Sequence, residues 1–225
     1  MPDFTAAREL MVDRHIAGRG LTDPALLQAF REVPRQLFVA PRHAAAAYDD
    51  APLPIEAEQT ISQPYIVALM ISLARVGRGS RVLEVGAGSG YAAALLGRIA
   101  HSVVAIERHG ELARLAAERV ERLGLGNVRI VHGDGARGLP EAAPFDAIIL
   151  SAAGERVPEA LPGQLRPGGA LVMPLGPAEE VQQLVRLTRS EEGRLAREQY
   201  GAVRFVPLLA GLSEEGKVDE DASGR

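Results

Sequence analysis

Residues 82–91 read VLEVGAGSGY, a strand-forming apolar run interrupted by one glutamate and followed by glycines at every second position. Val82, Leu83 and Val85 suit a buried strand, while Gly86, Gly88 and Gly90 let the backbone turn tightly beneath a ligand and approach it closely. Helix-forming YAAALLGRIA follows, so strand, glycine turn and helix occur in the order that builds a nucleotide pocket. Glu107 ends the next apolar run, SVVAIE, at 107 − 86 = 21 positions beyond the first glycine. That spacing suits a carboxylate accepting hydrogen bonds from both hydroxyls of a ribose. The pattern predicts an α/β fold around an adenosine-containing cofactor.

The glycine spacing discriminates among such cofactors. A dinucleotide fingerprint is G-x-G-x-x-G, whereas this turn is G-x-G-x-G with Glu84 two residues ahead of it. A carboxylate there repels a pyrophosphate and attracts an ammonium or sulfonium cation, and S-adenosylmethionine carries both. In VRIVHGDG, Asp134 lies just past another strand, where its carboxylate can accept from an adenine amino group. A glycine triplet alone is as well explained by turn chemistry. The triplet together with Glu84, Glu107 and Asp134 favours the cofactor.

Composition narrows the class further. At 225 residues the chain suits one large α/β domain, or a domain with an N-terminal extension. A net charge of −4 and a pI of about 5.8 argue against a broad nucleic-acid surface. No apolar run approaches the roughly 18 residues of a membrane span, and the charged start MPDFTAARELMVDR does not resemble a secretory leader. The absence of cysteine removes disulfides, thiolate metal sites and cysteine nucleophiles, and fits a cytoplasmic protein. No H-E-x-x-H or carboxylate–histidine cluster suggests a metal. His101 and His132 read as exposed or satisfied residues, and RLAAERVERLG as a solvated helix face with a Glu118–Arg122 pair.

Along the chain, helices are expected over 5–17 and 24–32, the latter behind Thr22-Asp23-Pro24. VPRQLFVAP then ends helical structure, and 43–64 reads as a long, proline-punctuated connection of the kind that carries function. A buried helix starts at Pro64. The core alternates strand 81–85, helix 90–99, strand 102–107, helix 110–123 and strand 127–132; strand 144–150, a short helix in EALPGQL and strand 170–176 complete it. This rhythm predicts a doubly wound, mostly parallel Rossmann-like sheet. VQQLVRLTRS and LAREQYGAVRFVPLL flank EEGR and predict a terminal antiparallel hairpin. Organisation is expected as an N-terminal helical extension with an active-site loop (1–63), a core (64–212) and a disordered tail (213–225).

The linker and the strand ends together resemble the protein-L-isoaspartate O-methyltransferase family. QTISQPYIVALM (59–70) is similar to that family's segment around its active-site serine, and LEVGAGSGY, GDG (133–135) and FDAIILSAA to its cofactor and fourth-strand motifs. VPRQLFVAP, AYDDAPLPI, QLRPGGALVMPLG and VRFVPL add to the likeness, which spans roughly residues 5–212. The resemblance implies a class I S-adenosylmethionine-dependent methyltransferase of the cytoplasm. It would methylate the α-carboxylate of isoaspartyl residues in damaged proteins, yielding S-adenosylhomocysteine and an ester that closes to a succinimide. It further implies Ser62 as the active-site serine. Gln63, Glu84, Gly86, Gly88, Ser89, Gly90, Glu107, Asp134 and Gly135 would meet the cofactor. Thr60, Ile61, Ser62, Val203, Phe205 and Val206 would meet the substrate. Isoaspartyl proteins are then the partners of a monomer that binds neither nucleic acid nor membrane. One departure stands out: the family usually has glycine near the positions of Glu56 and Glu58, so two carboxylates here would stiffen the loop or disfavour acidic peptides.

The chemistry is consistent with this residue set. A carboxylate acceptor with a pKa near ~4 is ionised at pH 7 and needs no general base, so in-line alignment carries catalysis. A serine just before a helix-opening proline suits an anion-binding hydroxyl; position alone favours an N-cap, and the surrounding QTISQP reverses that preference. Ser151, past the fourth core strand, lies at the rim where open sheets bind ligands. The alternatives are a methyltransferase of another substrate, a nicotinamide dehydrogenase, and a cofactor-binding module without turnover.

Overall fold

The computed structural model describes residues 3–213; the expected tail lies outside the described residues from 214 onward. α1 (Phe4–Met11) starts at Asp3, whose carboxylate accepts the Thr5 and Ala6 amides. A π turn (Val12–Ile16) and a 3-10 turn (Ala17–Arg19) extend it to Gly20. α2 (Pro24–Glu32) is capped by Asp23 on the Leu26 amide, with proline in the first turn as expected. Met11, Val12, Ile16, Leu26 and Phe30 join one buried cluster over the sheet.

The connection that follows is more ordered than its sequence suggests. Two 3-10 turns (Arg35–Phe38 and Pro41–Ala46) replace the expected loss of helical structure after residue 33. A short antiparallel pair forms from β1 (Leu53–Pro54) and β2 (Thr60–Ile61). The organiser is Arg35, fully buried, whose guanidinium donates to the Ala47 carbonyl at 2.7 Å and lies 5.0 Å from the Tyr91 ring centre. Chain wrapped on a buried cation carries no periodic apolar signal.

After α3 (Pro64–Leu73) the core runs β3 (Arg81–Val85), α4 (Tyr91–Ile99), β4 (Ser102–Glu107), α5 (Gly110–Arg122), β5 (Val128–His132), β6 (Phe145–Leu150), β7 (Leu165–Leu175), β8 (Gln182–Arg189) and β9 (Leu195–Val203). The sheet order is β5-β4-β3-β6-β7-β8-β9, parallel from β5 to β7 and antiparallel through β8 and β9. The doubly wound sheet and terminal hairpin are thus present. Two details differ from expectation. β7 begins at Leu165 and runs through Pro167-Gly168-Gly169 with a register shift opposite Phe145 and Ala147, and the short helix before it is only a 3-10 turn (Pro162–Gln164).

Val82, Ala147, Ile149 and Val172 face the helices, while Leu83, Ile148, Leu150 and Leu171 pack on the other face with Leu139 and Leu161 from the connections and Leu165 at the start of β7. The chain winds outward from β3 to β5, then returns to β6 on the opposite side of β3. Such a reversal opens a crevice at the carboxyl ends of the two central strands, where α/β sheets bind ligands. Among the described residues no helix is long and apolar enough to cross a membrane.

Candidate active site

A cavity of about 420 Å³ occupies that crevice. Its floor is the glycine turn, tied to β4 because the Gly86 and Ala87 amides both donate to the Ile106 carbonyl (2.8 and 3.0 Å). Gly90 does not line the cavity but fixes the turn beneath it. At φ +86° a Cβ here would stand 3.0 Å from the Ala116 Cβ, so the turn lies directly on α5. Gly135 lines the cavity and packs flush on β3: a Cβ there would meet Val85 Cγ1 at 2.4 Å.

Three carboxylates surround this floor in different states. Glu107 is 5% exposed, and each of its oxygens accepts one backbone N–H, from Gly88 at 2.8 Å and from His109 at 3.0 Å. Its remaining lone pairs stay open to hydroxyl donors. Glu84 is 1% exposed and far less well served. Oε1 has only the Ser151 hydroxyl at 3.4 Å, and buried Oε2 has no partner among the described residues. Burial pushes its pKa up to about 8; the Ser151 hydrogen bond opposes this and the nearby Glu107 charge adds to it. A buried, unpaired carboxylate oxygen is costly until a cation meets it. An ammonium-bearing cofactor therefore fits this cavity. Asp134 stands beside the wall, its Oδ1 accepting from the Ala136 amide at 3.0 Å and its Oδ2 3.8 Å from Arg137.

A second cavity of about 390 Å³ adjoins the first. Thr60, Ser62, Ser151 and Val206 line both and form the partition, while Val203 and Phe205 line only the second. Ile61, expected at the substrate, lines the first cavity instead. Gln63, expected at the cofactor, lines the second, and its side-chain amide donates to Asp50 Oδ2 at 2.7 Å.

Ser62 is not the N-cap of α3. Gln63 holds that position, and the Tyr65 amide is accepted by Asp50 Oδ1 at 3.2 Å from across the linker. The Ser62 hydroxyl has no partner among the described residues. Asp50 is balanced by Arg19 at 3.0 Å, and Arg19 lies 3.3 Å over the Tyr65 ring. With the Tyr65 amide already satisfied, the Ser62 hydroxyl is a donor open to an anion in the second cavity.

Several lining residues escaped sequence reasoning. Arg108 and His109 follow Glu107 into the first cavity, and a segment after β9 closes it with Pro207, Leu208 and Leu209. That segment is stitched to the end of β6, with Ala153 N–H donating to the Val206 carbonyl and Leu208 N–H to the Ala153 carbonyl (2.8 and 2.7 Å). The QTISQP-like and VRFVPL-like stretches were the available signals, since they meet here. His101 and His132 are exposed, the latter's ring 3.2 Å from the Arg108 carbonyl oxygen.

Residues 6–213 match the family described as Protein-L-isoaspartate(D-aspartate) O-methyltransferase. The chain is 50% identical to protein-L-isoaspartate O-methyltransferase 1 of Rhodopseudomonas palustris (strain HaA2), over 99% of this chain and 93% of that protein. It is 54% identical to the protein-L-isoaspartate O-methyltransferase of Methylorubrum populi, over 94% of this chain and 99% of that protein. A solved protein-L-isoaspartate O-methyltransferase superposes with a TM-score of 0.82 at 30% identity, covering 91% of this chain and 67% of the other. A Plasmodium falciparum structure of the same description, in complex with S-adenosyl-L-homocysteine, superposes with a TM-score of 0.77 at 25% identity, covering 90% and 98%.

Proposed function

The chain belongs to the protein-L-isoaspartate(D-aspartate) O-methyltransferase family and transfers a methyl group from S-adenosylmethionine to isoaspartyl residues of damaged proteins, and on that premise we propose that Ser62 orients the acceptor carboxylate at the partition between the two cavities. S-adenosylmethionine, when bound, supplies a methyl carbon made electrophilic by the adjacent sulfonium. Unpaired Glu84 Oε2 receives the cofactor's ammonium, and Glu107, anchored by two amides, receives the ribose hydroxyls. Asp134 and Gly135 lie on the adenine side. Gly86, Gly88 and Ser89 form the floor, with Gly90 beneath them.

In the second cavity Thr60, Val203, Phe205 and Val206 enclose the isoaspartyl side chain, and Ser151 offers a further hydroxyl at the partition. The acceptor is already ionised at pH 7, so no residue withdraws a proton. With the cofactor held by Glu84 and Glu107, its methyl carbon would bond to the acceptor oxygen while the electron pair of the broken carbon–sulfur bond stayed on sulfur. The chain contributes alignment, which supplies ~7–11 kcal/mol in well-oriented reactions. The absence of cysteine fits a reducing compartment such as the cytoplasm.

The observation that carries this reading is the place of Ser62 on a wall common to both cavities, its hydroxyl without a partner among the described residues. Radiolabelled methyl transfer to an isoaspartyl peptide, with its aspartyl counterpart as control, tests it in Ser62→Ala. Transfer is expected to collapse while S-adenosylhomocysteine affinity holds. Equal loss of both would give Ser62 to folding or to the cofactor.

A further inference from the structure

We propose that Arg119 is a positioning residue that ties the hairpin carrying Ser62 to the glycine turn beneath the cofactor. The sequence reads RLAAERVERLG as a solvated helix face, and for Arg114 that holds: it pairs with Glu118 at 2.6 Å with a side chain 61% exposed. The Glu118–Arg122 pair is replaced by this one. Arg119, five residues on, turns inward and is only 11% exposed. One arm of its guanidinium (Nη1) donates to the Ser89 carbonyl in the glycine turn at 3.2 Å, and the other (Nη2) to Glu56 Oε1 at 3.1 Å. A planar fork can serve two partners in this way, whereas a lysine ammonium is a single point charge.

Glu56 opens the tip of the β1–β2 hairpin, whose next two residues, Ala57 and Glu58, both have left-handed backbones (φ +53° and +56°) without being glycine. Such a turn is poorly held by its own conformational preference and needs an external tie. Four residues after Glu58 comes Ser62. The same hairpin also rests on the glycine turn through Ile55, whose Cδ1 lies 3.6 Å from where a Gly88 Cβ would be. Arg119 lines neither cavity, so it acts through Ser89 on the glycine turn and through Glu56 on a hairpin whose tip (57–59) lines the first cavity and whose end, Thr60 and Ser62, lines both. Glu56 departs from the glycine usual in the family near this position, and its charge is neutralised by Arg119 rather than offered to substrate. Because catalysis here is alignment, a small loosening between the two loops lowers turnover without removing any group that touches a reactant.

This inference deepens the reading of Ser62 as the acceptor anchor, and the test separates the two. Steady-state methyl transfer to an isoaspartyl peptide and S-adenosylhomocysteine affinity are measured on the full chain for Glu56→Ala and Arg119→Gln, beside Ser62→Ala. Glu56→Ala is expected to lower kcat about tenfold with KM and cofactor affinity within threefold of the parent. Arg119→Gln, which frees both partners, lowers kcat similarly and also weakens cofactor affinity about fivefold. Adding Glu58→Gly to Glu56→Ala, so that the tip keeps its shape without strain, recovers at least half of the lost kcat. Thermal stability is recorded alongside. Melting temperatures that fall while kcat and affinity stay within twofold, or a Glu56→Ala loss that Glu58→Gly leaves in place, overturn the proposal. Full activity in Ser62→Ala would instead sink the serine assignment, leaving the effect of Arg119 on cofactor affinity to stand or fall by itself.

Discussion

The two cavities share a wall yet are assembled by opposite means. The floor of the donor cavity is made from the ends of regular strands and fixed by backbone amides, Glu107 by Gly88 and His109 and the glycine turn by the Ile106 carbonyl, while the hairpin tip and Pro207–Leu209 complete its walls. The acceptor cavity is made from connections: a two-residue strand pair, a helix capped from a distance by Asp50, and the segment after β9. The donor floor is therefore rigid by topology, and the walls toward the acceptor by a few specific side-chain ties. Substitutions should separate along that line.

The largest effect expected is on the acceptor side. Ser62→Ala should reduce kcat by ~10²-fold or more, the scale seen when one preorganised donor is removed from a reacting anion. Cofactor affinity, measured calorimetrically with S-adenosylhomocysteine, should stay within twofold. A matching fall in both would erase the distinction between the cavities.

The next effect belongs to the donor side and is read as a pH dependence. Glu84 has a folded pKa of about 8 against an ordinary value of 4.5. The folded, ligand-free chain thus retains a proton that the unfolded chain has lost. The contribution of this group to stability is full below about pH 4.5 and is lost as pH rises toward 8. Pairing with an ammonium requires the ionised form, so the sign reverses for binding. S-adenosylhomocysteine affinity should climb from pH 6 toward a plateau near pH 8, by up to ~10-fold per pH unit. It should turn down above that as the ligand's own amine deprotonates. Glu84→Gln should bind more weakly at pH 8 and show a flat profile below it. A flat profile in the parent chain would mean that Glu84 is already ionised without the ligand.

Gly90→Ala is a smaller perturbation of the same cavity from behind. The new Cβ enters a left-handed position 3.0 Å from Ala116, so a cost of ~1–3 kcal/mol in urea unfolding is expected. An approximately tenfold weaker hold on S-adenosylhomocysteine should accompany it, with peptide KM unchanged. If KM for the peptide moves instead, the turn serves the acceptor and the comparison is misdrawn.

This contrast also governs how much of the molecule was legible in advance. Glu84, Gly86, Gly88 and Glu107 could be read because strand periodicity and a short turn place them within a few residues of their structural context. Ser62 was chosen because of its surroundings, but the partner that frees it was not visible: Asp50 caps Tyr65 from fifteen residues away, through a linker with no apolar rhythm. The resemblance places Gln63 at the cofactor, whereas that same carboxylate draws its amide to the other cavity. Arg119 and Glu56 are sixty-three residues apart, and a helix pattern that alternates arginine and glutamate gives no sign which arginine turns inward. Long-range polar pairing leaves no local period, so the acceptor side was the harder half.

The smallest effect has the opposite sign to Gly90→Ala and uses the same backbone region. Glu58 occupies a left-handed conformation (φ +56°) that an L side chain adopts at a cost of ~1–2 kcal/mol. Glycine removes that strain but carries more freedom in the unfolded chain, which offsets part of the gain. Glu58→Gly should therefore stabilise the protein by about 0.5–1 kcal/mol, seen as a rise of ~1–4 °C in Tm for a chain of this size. Glu58 is exposed, so no buried contact is lost in exchange. A fall in Tm would mean that the hairpin tip is held in this shape by its side chain, and that the hairpin has a tie beyond the Glu56–Arg119 pair.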